Sequence, residues 1–235
     1  MEDYKRQLLM LAFLVLALVS AVWTVDRSTN VVDEMGVNVP VKGKKRIVVD
    51  AGHGGRDGGK VGEGNILEKD INLKIAMYLK AELKDAGYDV FMIRETDMGL
   101  YKERDGNKKR ADLKARCDKI NEVKPACSIG IHQNSFPSAN AKGAQVFYYA
   151  KSEEGTRLAE AIQSSMVDGL DSSNKRKIKT SDDYYMLLHT DSPGVIVECG
   201  FLSNPEEAAK LSDTDYQKKA AKAICQGVEN YFKTP

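Results

Sequence analysis

Three positions in this 235-residue chain carry side chains that bind divalent metals. His53 and His132 each follow a strand-like apolar run, and Glu68 opens a long amphipathic pattern. Two imidazoles and one carboxylate can hold Zn²⁺ and leave a position open for water. A further carboxylate, Glu198, directly follows the apolar run Val195–Val197 and is placed to transfer protons. The chain has only three histidines, and two of them lie in these segments, so composition alone does not account for the pattern. Together these residues predict a zinc hydrolase.

Each of these residues, taken alone, also has an ordinary structural explanation. A lone histidine in a glycine-rich segment is more often a turn residue than a metal ligand. Glu68 suits a first helical turn, because the helix dipole favours acidic residues there. A carboxylate such as Glu198 is costly to bury without a partner, and an ion pair with Arg94 or Arg116 is the structural alternative. The metal hypothesis therefore depends on the four residues acting together.

The glycine-rich segment Gly52–Gly59 raises the alternative of a phosphate-binding loop in a nucleotide-binding α/β enzyme. Its spacing does not fit G-x-G-x-x-G, because Asp57 stands where the third glycine belongs, and no Gly-Lys-Ser/Thr sequence follows. Glycines also allow the backbone to pack closely around a ligand or substrate. A protease dyad of Cys199 and His132 is disfavoured, because Cys199 points to the opposite face of its strand from Glu198.

Strand and helix patterns alternate from Arg46 to the end of the sequence. Several strands are apolar throughout, which indicates burial on both faces, so we expect an α/β fold with helices on both sides of a sheet. In such folds, sites form outside the carboxyl ends of the strands, where the two histidines and Glu198 fall. The predicted strands are Arg46–Asp50, Asp89–Ile93, Cys127–Ile131, Gln145–Tyr149 and Val195–Glu198. The predicted helices run from Glu68 to the residue before Gly87, and over Lys109–Glu122, Glu154–Leu170 and Asp215–Phe232.

Residues 8–25 form an uncharged and mainly apolar stretch, preceded by Lys5 and Arg6. Eighteen helical residues at about 1.5 Å each span roughly 27 Å, close to the hydrocarbon thickness of a bilayer. The positive charges favour a cytoplasmic N-terminus at residues 1–7 and export of the remainder. We expect a hydrophobic helix at residues 8–25 that is either a membrane anchor or a cleaved signal segment. Residues 26–45 then form a linker to a catalytic domain at residues 46–235.

Composition limits the other interactions of the chain. The formal net charge of +1 argues against nucleic acid as the main partner, because phosphate binding usually requires a strong basic excess. The basic runs Lys108–Arg110 and Lys175–Lys177 are interpreted as solvated surface rather than polyanion sites. Of the four cysteines, Cys127 and Cys199 lie inside strand-like runs. Buried free thiols are therefore favoured over disulfides.

Taken in order, the motifs around these residues resemble the zinc-dependent N-acetylmuramoyl-L-alanine amidases, amidase type 3. The resemblance covers about Arg46 to Phe232, and its motifs are Val49–Gly55, Glu68, Ser128–Asn134 and Val197–Asn204. Residues between the motifs also match the family pattern, namely Arg94, Asp97, Leu113, Arg116 and Asn121. The resemblance departs from the usual pattern at Gln133 and Cys199, and neither position is a proposed ligand.

The resemblance implies a three-layer αβα fold with a mostly parallel, mixed central sheet. It also implies that His53, Glu68 and His132 hold zinc and that Glu198 is the catalytic residue. Such enzymes cut the amide bond between the lactyl group of N-acetylmuramic acid and the L-alanine of the stem peptide. Asn134 is a candidate substrate contact, with loop orientation as its alternative role. A catalytically weak peptidoglycan-binding protein on the same fold is the remaining alternative.

The short chain, with one N-terminal hydrophobic segment and no recognisable wall-binding repeat, is most similar to the CwlD-type amidases of endospore-formers. That likeness implies peptidoglycan as the partner and a role in forming muramic-δ-lactam in the spore cortex. It implies an exported protein, membrane-anchored or secreted, in the space that surrounds the forespore. It leaves room for an accessory protein.

Overall fold

The computed structural model describes residues 40–233, and every element named below lies in that range. Strands and helices mostly alternate along the chain, but two strands follow one another in its middle and two helices at its end. The strands are β1 (Arg46–Ala51), β2 (Asp89–Met92), β3 (Cys127–Asn134), β4 (Gln145–Tyr148), β5 (Lys179–Thr180) and β6 (Gly194–Phe201). The α-helices are α1 (Glu68–Asp85), α2 (Lys108–Val123), α3 (Glu153–Leu170), α4 (Tyr185–Leu188), α5 (Pro205–Ser212) and α6 (Thr214–Lys233).

The hydrophobic segment predicted at residues 8–25 lies outside the described residues, as do residues 1–7 and most of the linker predicted at residues 26–45. Between residues 40 and 233, none of the helices has both the length and the apolar character that a membrane crossing requires. The anchor or signal segment and the predicted segment bounds therefore stay predictions.

All six described strands join one sheet in the order β2-β1-β3-β6-β4-β5. β1 pairs in parallel with β2 and β3, and β3 pairs in parallel with β6. β4 runs antiparallel to β6 and parallel to the short β5. The predicted α/β fold with a mostly parallel, mixed sheet is confirmed. The carboxyl ends of β1, β3 and β6 consequently lie side by side at one edge.

Apolar side chains fill both sides of this sheet. Val49 belongs to a buried cluster with residues of α1, α3 and α6, and its neighbour Val48 belongs to a second cluster with residues of α2 and α4. Successive residues of a strand point to opposite faces, so helices cover both faces of the sheet. This is the predicted three-layer αβα arrangement. The continuous apolar runs in the sequence reflect burial on two sides.

β3 and β6 extend farther than their apolar runs predicted. β3 continues past Ile131 to Asn134, and β6 continues past Glu198 to Phe201. Both strands lie inside the sheet, so their polar residues still find backbone partners. Between His132 and Asn134 the register shifts by one residue, which is a β-bulge in β6. His132 and Glu198 therefore lie within paired strands rather than in loops beyond them.

The cysteines agree with the sequence prediction. Cys117, Cys127, Cys199 and Cys225 are all buried and free. Burial raises the pKa of the Cys117, Cys127 and Cys225 thiols to about 12 each. These thiols are apolar packing groups and carry no reactive thiolate at neutral pH.

Candidate metal centre

Three side chains meet at the carboxyl edge of the sheet, from the segment after β1, the first residue of α1 and β3. They are His53, Glu68 and His132, called here the histidine–glutamate cluster, and one ligand-competent atom of each lies within 4.8 Å of the other two. His53 Nε2 is 3.2 Å from Glu68 Oε2, and His132 Nδ1 is 3.0 Å from Glu68 Oε1. The structure thus brings together three residues that the sequence motifs had identified separately.

His53 is oriented by a second carboxylate. Its backbone has a φ of 63°, which is uncommon outside glycine, and reciprocal backbone hydrogen bonds between Gly54 and Asp57 close the following turn. The Asp57 carboxylate then lies 2.9 Å from His53 Nδ1. A proton shared there leaves Nε2 facing Glu68 as a ligand atom. Although burial opposes it, the carboxylates of Glu68 and Asp57 raise the pKa of His53.

Glu68 is buried but well supplied with hydrogen-bond donors. The Lys60 N–H donates to Oε2 at 2.7 Å, and the Gln133 N–H donates to Oε1 at 3.1 Å. Asn72, one helical turn later, donates from Nδ2 to the same Oε1 at 3.3 Å. Burial alone would raise the pKa of Glu68, but the two histidines of the cluster hold it well below its usual range. The side chain is therefore a carboxylate anion.

Two glycines make room for this cluster. A Cβ at Gly52 would lie 2.2 Å from two atoms of the His132 ring. At Gly59, where φ is +71°, a Cβ would lie 2.5 Å from Glu68 Oε2 and 2.8 Å from the ring of His53. A larger residue at either position would displace a member of the cluster, which explains why the segment is rich in glycine.

Glu198 stands beside the cluster on the next strand. It is the register partner of His132 across β3 and β6, so both side chains leave the same face of the sheet. Glu198 is only 4% exposed, and its Oε1 accepts a hydrogen bond from the Tyr184 hydroxyl at 2.7 Å. Its Oε2 is buried without a partner among the described residues. Burial raises the pKa of Glu198, against the lowering effects of His132 and Tyr184. A buried carboxyl group with a raised pKa is suited to accept and release a proton during a reaction.

The alternative ion pairs of Glu198 with Arg94 or Arg116 are not formed. Arg116 instead pairs with Asp50 and Asp112, and its Nη2 donates to the His53 carbonyl at 2.6 Å. Among the residues that the structure describes, Arg94 donates to the backbone carbonyls of Ala51, Gly52, Lys69 and Thr96. Both arginines therefore brace the segment that carries His53.

Asn134 and His189 lie outside the cluster. Asn134 Oδ1 accepts a hydrogen bond from the Ser135 N–H at 2.8 Å, a contact that suits the role of orienting the loop. Its role as a substrate contact stays a prediction. His189 is exposed and stacks on the Tyr185 ring, with centroids 3.8 Å apart. The third histidine thus faces solvent.

The glycine-rich segment does not offer its backbone to a phosphate. The Gly54 N–H donates to the Asp57 carbonyl at 2.9 Å, and the Gly59 N–H donates to Asp57 Oδ1 at 3.1 Å. The Gly55 N–H donates to Asp97 Oδ1 at 2.8 Å. Because these amides are already paired within the protein, they are not free to cradle a phosphate group. This favours a metal site over a nucleotide site.

Sequence reasoning missed two residues of this site, Tyr184 and Asp57. Tyr184 precedes α4 in a loop, and no local pattern connects it with Glu198. Asp57 could have been predicted, because the second ring nitrogen of a metal-binding histidine is commonly hydrogen-bonded to a nearby carboxylate. Its position four residues after His53, in a tight turn, fits that rule.

The residues present fit a zinc ion. Two imidazole nitrogens and a carboxylate oxygen are a common donor set for catalytic zinc. Two imidazoles at hydrogen-bond distance from one buried carboxylate require a proton or a metal ion between them. The unpartnered Oε2 of Glu198 adds a buried acceptor on the strand that neighbours His132. The arrangement can therefore hold a divalent cation beside a carboxylate that is able to exchange protons.

A comparison with families of known proteins decides the class of the chain. The family described as N-acetylmuramoyl-L-alanine amidase matches residues 47–230, which include the cluster and Glu198. The chain belongs to this family. The protein is therefore an amidase, and peptidoglycan of the cell envelope is the substrate that this activity implies.

Individual relatives support the family resemblance found in the motifs. The germination-specific N-acetylmuramoyl-L-alanine amidase of Bacillus subtilis (strain 168) is 39% identical over 198 residues, 83% of this chain and 82% of that protein. The CwlD amidase from Clostridioides difficile, solved in complex with the GerS lipoprotein, is 36% identical with a TM-score of 0.79. That match covers 82% of this chain and 100% of the CwlD chain. AmiC2 of Nostoc punctiforme is 28% identical with a TM-score of 0.72, over 82% of this chain and 99% of AmiC2. The predicted likeness to CwlD-type amidases is confirmed.

Proposed function

We propose that this amidase is zinc-dependent and that His53, Glu68 and His132 hold the ion. The observation that carries the proposal is the convergence of one ligand-competent atom from each residue within 4.8 Å. No described lysine or arginine side chain donates to these atoms, so neither residue type supplies a cation in place of a metal. A bound Zn²⁺ would polarise the lactyl carbonyl and lower the pKa of water toward about 7.

Glu198 performs the proton transfers of the proposed reaction. Its buried Oε2 takes a proton from the attacking water and delivers it to the L-alanine nitrogen as the carbon–nitrogen bond breaks. Tyr184 holds the other carboxylate oxygen at 2.7 Å and so fixes the direction in which Oε2 points. The products are a muramic acid with a free lactyl carboxylate and a stem peptide with a free amino terminus.

We further infer a role in the spore cortex. The Bacillus subtilis relative is a germination-specific amidase, and CwlD of Clostridioides difficile was solved with the GerS lipoprotein. By this likeness, the chain removes stem peptides from cortex peptidoglycan, prepares muramic-δ-lactam formation and acts in the space around the forespore. The likeness also supports an accessory lipoprotein as its partner. Residues 8–25, if uncleaved, would attach the enzyme to the membrane.

Muropeptide analysis tests the proposed function. Purified protein incubated with peptidoglycan and zinc is expected to release stem peptides with a free N-terminal alanine, detected by liquid chromatography and mass spectrometry. A chelator should stop the release, and added zinc should restore it. A peptidoglycan-binding protein of weak activity would sediment with the polymer and release nothing. A nucleotide-binding enzyme would bind ATP or NAD in the presence of chelator. Either result would contradict the proposal.

A further inference from the structure

Arg176 lies in the basic run Lys175–Lys177, which the sequence alone presents as solvated surface, yet its side chain is held in place. Nε donates to the carbonyl of Lys142 at 2.6 Å, and Nη1 donates to Gln145 Oε1 at 3.3 Å. The guanidinium carbon lies 4.4 Å from the centroid of the Phe201 ring. Nη2 donates to none of the described residues. The guanidinium is therefore oriented but has an open donor edge.

No carboxylate neutralises this guanidinium within residues 40–233. The arginine ion pairs of that range involve other side chains, those of Arg46, Arg56, Arg116 and Arg157. Glu207 is an acidic residue that contacts the backbone of Phe201, on whose ring Arg176 stacks, and both of its carboxylate oxygens accept backbone hydrogen bonds. Oε1 accepts from the Gly143 N–H and Oε2 from the Phe201 N–H, each at 2.8 Å. No described carboxylate therefore neutralises the charge of Arg176, which can attract an anionic group.

The two residues that hold this guanidinium share a face of the sheet with the catalytic carboxylate. Gln145 is the register partner of Glu198 across β4 and β6. The bulge in β6 sets Phe201 opposite Asn134, two residues after His132, so the Phe201 ring leaves the same face as the His132 ring. Neighbouring strands lie about 4.8 Å apart. The guanidinium therefore contacts side chains of β4 and β6 that lie on the face of the sheet that carries Glu198.

A second cation borders the same face. Phe147 lies two residues after Gln145, and its ring packs against Tyr184 with centroids 5.4 Å apart. Lys179 Nζ lies 5.7 Å from the Phe147 centroid. A chain of side-chain contacts therefore leads from Glu198 through Tyr184 and Phe147 to the positive charge of Lys179.

We propose that Arg176 binds the free α-carboxylate of the second residue of the stem peptide, with Lys179 adding to the positive field. A planar guanidinium matches a carboxylate with paired donors, and its stacking on Phe201 orients it in advance. The second stem residue is joined through its side-chain carboxyl, which leaves its α-carboxylate free. An extended chain advances about 3.4 Å per residue, and the second stem residue stands one residue beyond the L-alanine whose amide Glu198 would serve. The inference rests on the proposed amidase function.

A pair of matched substrates tests this assignment. Two synthetic muramyl peptides differ only in whether the second-residue carboxylate is free or amidated, and kcat/KM is measured for each. Arg176→Gln is expected to lower kcat/KM for the free-carboxylate substrate roughly ten- to a hundredfold, mainly through KM, and to leave the amidated substrate almost unchanged. Arg176→Lys should restore part of the loss, because it keeps the charge without the planar donor pair.

Lys175→Gln is the matched control, since Lys175 is exposed and belongs to the same basic run. It changes net charge equally and is expected to alter kcat/KM less than twofold. An equal loss on both substrates, or no loss on either, would overturn the assignment. Thermal melting of each variant separates a folding defect from a binding defect.

Binding without turnover keeps this inference separate from the proposed function. Calorimetry with the free stem peptide and the Glu198→Gln protein should show an affinity that falls roughly tenfold or more when Arg176→Gln is added. If the wild type cleaves neither substrate, the amidase proposal fails, and calorimetry still decides on Arg176. Equal binding with and without Arg176 would refute the inference while leaving the amidase intact. A comparable loss caused only by C-terminal amidation would transfer the contact to the chain end and overturn the choice of carboxylate.

Discussion

His132 and Glu198 are direct register partners on β3 and β6, and Glu198 is opposed in turn by Gln145 on β4. One row across three strands thus presents an imidazole, a buried carboxylate and the amide that contacts Arg176. Neighbouring strands lie about 4.8 Å apart, so backbone pairing sets the spacing of these groups. The chemistry and the proposed substrate contact both depend on the register of β6.

Glu198→Gln is expected to lower turnover about 10²–10⁴-fold, because an amide cannot take a proton from water. Zinc content should not change, since the histidine–glutamate cluster is intact. Burial raises the pKa of Glu198, so ionising it costs stability as the pH rises. When both proteins are free of metal, the variant should therefore melt at the same temperature as the wild type, or at a higher one, at neutral pH. Steady-state release of stem peptide and calorimetric melting check both points, and wild-type turnover would disprove the role.

His132→Ala is expected to reduce zinc stoichiometry from about one per chain to well below one at equal free zinc, because one of three protein ligands is lost. Elemental analysis after dialysis measures the change. His189→Ala is the matched control, since that ring is exposed and stacks only on Tyr185. Full zinc content in His132→Ala, or an equal loss in His189→Ala, would discredit the ligand assignment.

Tyr184→Phe should lower kcat roughly tenfold, because one charge-assisted hydrogen bond to Glu198 is removed. That bond lowers the pKa of Glu198 against the effect of burial. Without it the pKa rises, so the acid limb of the profile of kcat/KM against pH moves to higher pH. Tyr185→Phe is the control, because Tyr185 stacks on His189 instead. An acid limb that stays in place would show that Tyr184 does not act through Glu198.

Gly52→Ala is expected to abolish zinc binding and to lower the thermal stability of the fold to a smaller extent. The added Cβ would meet the His132 ring at 2.2 Å, so the ring must leave its position. Zinc titration beside thermal melting separates the two effects. Gly106→Ala provides the comparison, because a Cβ there has no atom within 4 Å. Tight zinc binding by Gly52→Ala would show that the ring has another place from which to reach the ion.

Much of this site was predictable because its residues sit at boundaries that local patterns mark. His53 ends an apolar run, Glu68 begins an amphipathic helix, and the run before Glu198 is wholly apolar. Parallel strands bring such ends to one edge, so three distant segments predicted one site. The burial of β1, β3 and β6 on both faces could also be predicted, because their sequences are continuous apolar runs.

What could not be predicted depends on register and on contacts between distant segments. In the sequence, Arg176 is indistinguishable from other surface cations. Its contact with the Phe201 ring depends on the bulge in β6, which sets the face on which Phe201 lies. Tyr184 reaches Glu198 from a loop with no periodicity of its own. Helix α5 was missed although Asn204 caps it and Pro205 begins it, because it is short and adjoins α6.

Anomalous diffraction at the zinc absorption edge addresses the metal site most directly. Crystals of the protein grown with zinc should show one strong anomalous peak within bonding distance of His53 Nε2, a Glu68 carboxylate oxygen and His132 Nδ1. A peak bound to other side chains, or no peak among these three atoms in crystals that contain zinc, would contradict the proposed centre.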